Sequence, residues 1–353
     1  MISIISEANP ADWNAAIALI PDPDVYWRLE YMRAFQLHGD GSPMLLKFEN
    51  GPVVGVCAMM LRDIADDSRF AGKLAKGEWF DMVTPYGYGG FIFNQEPSAE
   101  DLALLKSELL DTLRGLNVIS AFFRFHPIFR NADWHRQLMD VIDLGKTVAF
   151  NLDSPELIWS NITSKNRNVI RKAEKNGIEI HHAKGMQLLD CFMDIYKETM
   201  DHDNAEEYYY FPRAFYESID TDLRDKYEMF YATLGEEVIA MSIMLFDGCR
   251  MNYHLSGSRF EYRNLAPSNL LLYKAALWGC ENGMKTFHLG GGVGSGEDSL
   301  YKFKQAFNRN SDLRFSIGKL LIDPEKYDRL SALRTETDPA FNPEASFFPL
   351  YRS

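Results

Sequence analysis

The chain is poor in cysteine: it has four, Cys57, Cys191, Cys249 and Cys280, widely spaced and with no CxxC pair among them. That excludes a disulfide-stapled scaffold and a zinc ribbon, and it points to a reducing compartment. Long apolar runs are missing too. The best, NVISAFF, stops at Arg124, well short of the ~20 residues a membrane-crossing helix needs. The N-terminal MISIISEANPADW has no basic flank before its short apolar start and meets Glu7 and Pro10 at once, so no secretory signal is read there and a cytoplasmic protein is expected. Positive charge is scarce, 37 Lys and Arg against 50 Asp and Glu for a net −13, with acids in excess in both halves. Such a balance disfavours non-specific duplex binding, which depends on neutralised phosphates. Also absent are HExxH, a Walker loop, the dinucleotide glycine spacing and a GxSxG elbow around Ser256, Ser258 or Ser295. No metal site is expected. His181 and His182 would alternate across a strand, and Asp201-His202-Asp203 lies in an acidic stretch that reads as a solvated loop.

What is present is a folded chain of 353 residues, 46% hydrophobic, too long for one ordinary core. Two α/β (α+β) domains are expected, 1–149 and 150–319, each with a mixed, largely antiparallel sheet and flanking helices; the segment 320–353 should return to the first. In the first half, DVYWRLEYMRAFQLHG reads as a helix ending at Gly39, and MLLKFENGPVVGVCAMML as a hairpin turning at Asn50-Gly51. EWFDMV and YGYGGFIF read as strands, a helix capped by Ser98 carries periodic leucines to Leu116, and VISAFFRF is a further strand. The second half repeats the order: a hairpin in EMFYATLGEEVIAMSIMLF, a strand in RMNYHLSGS, a helix in SNLLLYKAALWGCENG and a strand in KTFHLG. A shift of 185 positions lays Val53-Val54-Gly55-Val56 on Val238-Ile239-Ala240-Met241, which favours a duplicated α/β unit.

Three local features carry chemistry. Gly290 to Gly296 holds five glycines in seven positions and leads into a helical pattern at Ser299. Such a backbone can approach a ligand closely, with Gly291 and Gly292 as lining residues, and free amides near Asp298 would add partial positive charge. Next comes Leu300-Tyr301-Lys302-Phe303-Lys304-Gln305-Ala306-Phe307, where Phe303 and Phe307 share a helical face and anchor it, with Lys304 beside the anchor. The third is a basic helix, SKNRNVIRKAEKNG, with five bases against one acid. Its Lys165, Arg167 and Arg171 suit phosphate, though a solubilising face reads equally well. Tyrosines cluster at Tyr208, Tyr209, Tyr210, Tyr216 and Tyr253 with Arg213 among them, and Tyr86 and Tyr88 stand on a glycine-spaced stretch. Small residues beside aromatics suit a cleft for a sugar or planar group and equally a bulged strand. At Arg263-Asn264-Leu265-Ala266-Pro267-Ser268 there is no glycine, and proline removes an amide a phosphate would use.

Taken together, SKNRNVIRKAEKNGIEI, the hairpin, NYHLSGS, APSNLLLYKAALWGCENGMKTFHLGGG and SLYKFKQAF resemble the FemAB family, aminoacyl-tRNA-dependent peptidyltransferases of peptidoglycan synthesis within the GNAT-like acyltransferases. The resemblance covers about 150–320 and the first half by strand order. It implies two GNAT-like domains with an active cleft between or beside them, and aminoacyl-tRNA rather than coenzyme A as donor, so no resident cofactor. Lys304 falls on the family's catalytic lysine; Arg213, Tyr216 and Tyr253 fall near positions that hold a nucleotide-linked muropeptide. Lys165, Arg167 and Arg171 would meet tRNA. The partners implied are aminoacyl-tRNA and a nucleotide- or lipid-linked muropeptide or other amine, with room for association at a membrane surface. Two departures stand out. Thr84-Pro85-Tyr86-Gly87-Tyr88-Gly89-Gly90 stands where these enzymes tend to have Arg-Gly-Pro, and the long helical hairpin that some members use as a tRNA arm is missing. An acyl-CoA-dependent N-acyltransferase of a sugar or peptide amine, and a non-catalytic binder that keeps the cleft, remain open on the sequence.

Overall fold

The computed structural model describes residues 1–353 and divides into two compact units. Unit 1 comprises Met1–Pro21, Tyr26–Asp143 and Ser316–Ser353; unit 2 comprises Asp22–Val25 and Leu144–Phe315.

Unit 1 begins with β1 (Ile2–Ser6), α1 (Pro10–Ala18), α2 (Leu29–His38), β2 (Ser42–Asn50) and β3 (Val53–Asp63). It continues with β4 (Phe80–Val83), β5 (Ile92–Phe93), α3 (Ala99–Gly115), β6 (Val118–Arg124) and α4 (Ala132–His135). Gly39 closes α2 in the left-handed region, as its place after the periodic residues predicts. The β2–β3 hairpin turns at Gly51-Pro52 and not at Asn50-Gly51: Asn50 pairs with Val53 and stays in the strand, and its side-chain amide donates to Asp101 Oδ1 at 2.7 Å. The predicted cap at Ser98 forms, as a capping box in which Ser98 and Asp101 bond reciprocally, and Leu102, Leu105, Leu109 and Leu113 turn one face of α3 into the core. The strand expected over YGYGGFIF shrinks to Ile92–Phe93. Gly87 and Gly90 have φ of +94° and +89°, and a Cβ on Gly87 would lie 2.4 Å from the Tyr26 ring, so this stretch is a close-packed loop that extended backbone could not make. Among these elements β1, α1 and the short α4 escaped the sequence reading.

Unit 2 runs through the end of β7 (Asp140–Asn151), then α5 (Pro155–Asn161), α6 (Ser164–Lys175), β8 (Ile178–Ala183), α7 (Met186–His202) and α8 (Arg213–Asp222). There follow β9 (Tyr227–Leu234), β10 (Glu237–Asp247), β11 (Arg250–Ser258), α9 (Pro267–Glu281), β12 (Thr286–Gly290) and α10 (Ser299–Gln305). The short Asp22–Val25 segment belongs here because Asp22 accepts from the Cys249 amide at 3.0 Å and from Arg250 at 2.7 Å, while Asp24 accepts from Asn252 at 2.9 Å. The chain then re-enters unit 1 along β13 (Leu313–Leu321) and α11 (Pro324–Thr337).

The two units repeat one another strand for strand. In unit 1, β1, β2, β3 and β4 are antiparallel neighbours, β4 is parallel to β6, and β6 is antiparallel to β13. In unit 2, β8, β9, β10 and β11 are antiparallel neighbours, β11 is parallel to β12, and β12 is antiparallel to β7. The parallel step follows from a helical crossover, α3 before β6 and α9 before β12. The shift of 185 residues therefore maps β3 onto β10, equivalent strands of a duplicated fold. The closing strands are exchanged in sequence: β7 follows β6 but pairs with β12, and β13 follows β12 but pairs with β6.

Each unit has its own core. In unit 1 it includes Phe48, Cys57, Met59, Phe91, Leu105 and Phe123. A second cluster there, Ile64, Phe70, Trp79, Ile119, Leu330 and Tyr351, holds α11 and the tail. Arg352 completes that anchor, with Nε 2.5 Å from Asp81 and Nη1 2.8 Å from Asp67, and Arg62 bonds the other oxygen of Asp81 at 2.6 Å. Asp81 is fully buried; burial pushes its pKa up, but the two arginines outweigh this and hold it below the usual carboxylate range. In unit 2 the core gathers Phe150, Ile170, Met244, Leu271, Phe287 and Phe307.

Candidate active site

The end of β12 and the start of α10 build the site in unit 2. Gly290, with φ +79°, turns the chain out of the strand, and Asp298 caps α10 by accepting from the Tyr301 amide at 2.8 Å. The same carboxylate accepts from the Val293 amide at 3.0 Å, so it ties the glycine loop to the helix. Of the free amides expected at this helix start, Asp298 takes that of Tyr301. Gly292 is what allows it: a Cβ there would sit 2.2 Å from Asp298 Oδ1. The loop lies along β7, where a Cβ on Gly145 would meet the Ser295 carbonyl oxygen at 2.0 Å and one on Gly291 the Lys146 carbonyl oxygen at 2.9 Å. Lys146 reaches back to Glu297 at 2.9 Å.

Tyr301 and Phe307 are buried and Phe303 meets Phe307 edge-on at 5.4 Å, the anchor read from the sequence. Lys304 is on the inward side of α10, 8% exposed, whereas Lys302 faces solvent. Its Nζ donates to the Gly291 carbonyl oxygen at 2.8 Å and stands 5.9 Å from the centre of the Tyr253 ring. Burial pulls the ammonium down to a pKa of about 8, with Asp298 acting in the opposite sense. A lysine so placed is a desolvated cation ready to donate at neutral pH.

Tyr253 is brought there by a β-bulge. On β10, Met244 pairs with Tyr253 but Ile243 pairs with Leu255, so His254 is the extra residue. The bulge reverses the alternation and puts Ser256, opposite Ser242, on the face that carries Tyr253. Ser242 donates to Ser256 at 2.9 Å. Burial raises the Tyr253 pKa while hydrogen bonds with Ser256 and Ser242 oppose the rise. His254 goes to the other side, where burial lowers it to about 3 and keeps it neutral. On β12, His288 bonds Thr147 of β7 at 2.9 Å.

The structure thus gathers Lys304, Gly291, Gly292 and Tyr253. It does not bring the other expected site residues to this point by any direct bond. Arg213, at the start of α8, is exposed and held by Asp190 at 2.6 Å and Glu217 at 2.8 Å. Tyr216, one turn on, is buried against Phe192, Phe211 and Phe215, where burial drives its pKa up. Tyr86 and Tyr88 are in unit 1, Tyr86 stacked on Phe35 and Tyr88 edge-on to Tyr26 and to His126. On α6, Arg167 donates to the Ile162 and Trp159 carbonyls, at 2.8 and 3.2 Å, and closes the α5–α6 turn. Arg171 lies over the Trp159 ring at 5.0 Å, and Lys165 is exposed on a different side of the helix. Asp298, Ser242, Ser256 and Thr147 were not read as site residues. For Asp298 a signal existed, an aspartate immediately before a helical pattern.

The family model of the acetyltransferase (GNAT) domain matches residues 161–305, which ends one residue beyond Lys304. The UDP-N-acetylmuramoylpentapeptide-lysine N(6)-alanyltransferase of Weissella viridescens is 22% identical over 313 residues, covering 81% of this chain and 85% of its own. Among solved structures, FemX superposes with a TM-score of 0.68 at 13% identity, covering 93% of this chain and 99% of FemX. L-PGS from Bacillus licheniformis gives 0.57 at 12% identity, covering 94% and 98%.

Proposed function

From its membership of the FemAB family of GNAT-like acyltransferases, we propose that the protein moves an aminoacyl group from aminoacyl-tRNA to an amine of a peptidoglycan precursor. The observation that carries this reading is the buried ammonium of Lys304, donating to the Gly291 carbonyl with its pKa drawn down to about 8. In the reaction the acceptor amine attacks the ester carbon. The C–N bond forms, the carbonyl oxygen takes up negative charge, the bond to the ribose oxygen breaks, and that oxygen gains the proton the amine gives up. The chief demand on the enzyme is a donor where the oxygen becomes negative. Lys304 supplies it as a compact cation in a water-poor setting, where its charge acts more strongly than in bulk solvent. The glycines beside it carry no side chains to keep donor and acceptor apart.

The carboxylate of Asp298 holds the loop and α10 in register, so Lys304 arrives at a fixed place. Tyr253, with the serine pair behind it, forms the wall facing the ammonium. No resident cofactor belongs to this proposal; the aminoacyl-tRNA is a co-substrate. Ala266, in the left-handed region at φ +57°, and Pro267 at the first position of α9 are a poor cradle for coenzyme A pyrophosphate. No helix is long and apolar enough to cross a membrane.

The test is transfer of a radiolabelled amino acid from a pool of charged tRNAs to a UDP-linked muropeptide, with acetyl-CoA as the competing donor. Label in the muropeptide that depends on tRNA supports the reading. Label only from acetyl-CoA, or from neither donor, sinks it.

A further inference from the structure

A second feature of unit 2 lies outside the Lys304 site. Trp159, on α5, is only partly buried, and two guanidinium groups of α6 lie over its ring, Arg171 at 5.0 Å and Arg167 at 6.0 Å. Tyr273 of α9 meets the same indole at 5.0 Å, and Lys274 lies 5.8 Å over the Tyr273 ring. Arg167, Arg171 and Lys175 are spaced by four residues, so they form one stripe along α6. Glu174 is the acid of this helix, and it is paired with Lys274 at 2.9 Å.

This cluster is joined to the helix that carries Lys304. The Thr163 amide, at the cap of α6, donates to the Ala306 carbonyl at 2.9 Å, two residues past Lys304. Asn161, the last residue of α5, accepts from the Asn310 side chain at 2.8 Å and from the Arg309 amide at 3.3 Å. Arg309 is exposed and adds a further cation at this corner.

A chain with net charge −13 that concentrates arginines on a partly exposed tryptophan has the makings of a site for a polyanion with planar groups. Cation stripes alone bind phosphates of any kind. An indole with arginine over it adds a flat surface on which an unstacked base can lie, the mode by which single-stranded RNA is held. We propose that Trp159 and Arg171 form a stacking platform for an unpaired nucleobase at the 3′ end of an RNA, with Arg167, Lys175 and Arg309 along the path of its phosphates. This rests on the proposed aminoacyl-tRNA donor and adds recognition of a base in the single-stranded 3′ segment that carries the reacting ester.

The experiment is fluorescence anisotropy with a labelled RNA hairpin bearing a four-nucleotide single-stranded 3′ overhang, beside the same hairpin with abasic sites in the overhang. Wild type should bind the base-bearing RNA more tightly. Trp159→Ala should weaken that binding by about 5- to 150-fold, the range of one lost base stack, and leave the abasic RNA unchanged. Trp159→Phe should retain most of the affinity, and Arg171→Gln should weaken both RNAs. Thermal unfolding of each variant checks that it is folded; if Trp159→Ala is not, the comparison of Trp159→Phe with Arg171→Gln decides. Equal binding of the two RNAs by wild type, or equal losses on both in the Trp159 variants, overturns the platform while transfer from charged tRNA can still stand. Absence of any such transfer is the separate result that removes the donor reading itself.

Discussion

The ammonium of Lys304 rests on the backbone carbonyl of Gly291, 2.8 Å away, inside a loop whose glycines let it lie against β7. One residue supplies the charge and the other holds it, and neither is useful for chemistry without the other. Replacing Lys304 by Met keeps the apolar stem and removes the donor. The rate of transfer should fall by ~10²–10³, as for a lost oxyanion donor. Lys302→Met, exposed and on another side of the helix, should transfer at a near-normal rate; the reverse pattern in steady-state kinetics would identify the wrong lysine.

The same lysine sets a pH dependence. Its charged form is the donor, and its folded-state pKa is lowered to about 8, so kcat/KM should be flat towards neutrality and fall as pH rises through about 8. For stability the sign is opposite. The folded protein binds this proton less tightly than the unfolded chain, so between about 8 and the ordinary lysine value stability rises with pH. Below that range the burial penalty is present in full. Unfolding of Lys304→Met near neutrality should therefore occur at a midpoint equal to or above that of wild type.

Gly145 is predicted to be intolerant of a methyl group. A Cβ there would stand 2.0 Å from the Ser295 carbonyl oxygen, a backbone atom that cannot rotate away. Gly145→Ala should lift the loop off β7, cost ~1–3 kcal/mol in urea unfolding as an overpacked site does, and lower kcat with it. A variant with wild-type stability and rate would mean the loop does not need this seat.

In unit 1 the tail is secured by Arg352, which shares the buried Asp81 with Arg62. Arg352→Met removes one partner of a buried pair and leaves charge behind, a change that costs ~3–5 kcal/mol. Thermal and urea unfolding should both report it. A loss below ~1 kcal/mol, the usual worth of an exposed pair, would show that Asp81 finds water instead.

The repeated order of hairpin, strand, helix and strand was legible because each piece carries a local period and a turn residue. The loop around Gly87 misled because its aromatics alternate like a strand while its glycines, with positive φ, do the opposite. Lys304 was selected by resemblance: spacing alone gives a solvated lysine as readily as a buried one. Ser242 and Ser256 were out of reach for a different reason. Strict alternation places Ser256 on the face opposite Tyr253, and the bulge at His254 that reunites them has no glycine or proline to announce it. Asp81 and Arg352, 271 residues apart in sequence, have no local pattern to betray their pairing.

The exchanged closing strands bear on how the protein is made. β6 is complete at Arg124, but the strand that covers its edge reaches it only at Ile317. At about 5–20 residues per second, translation leaves that edge open for roughly 10–40 s. During this interval Val118, Ile119 and Phe123, all buried in the finished protein, sit on a strand with an unpaired side. Unit 2, by contrast, has its closing strand β7 synthesised before the rest of its sheet. The half that the ribosome delivers first is therefore the half that finishes last, its sheet edge unpaired until Ser316–Ser353 emerge.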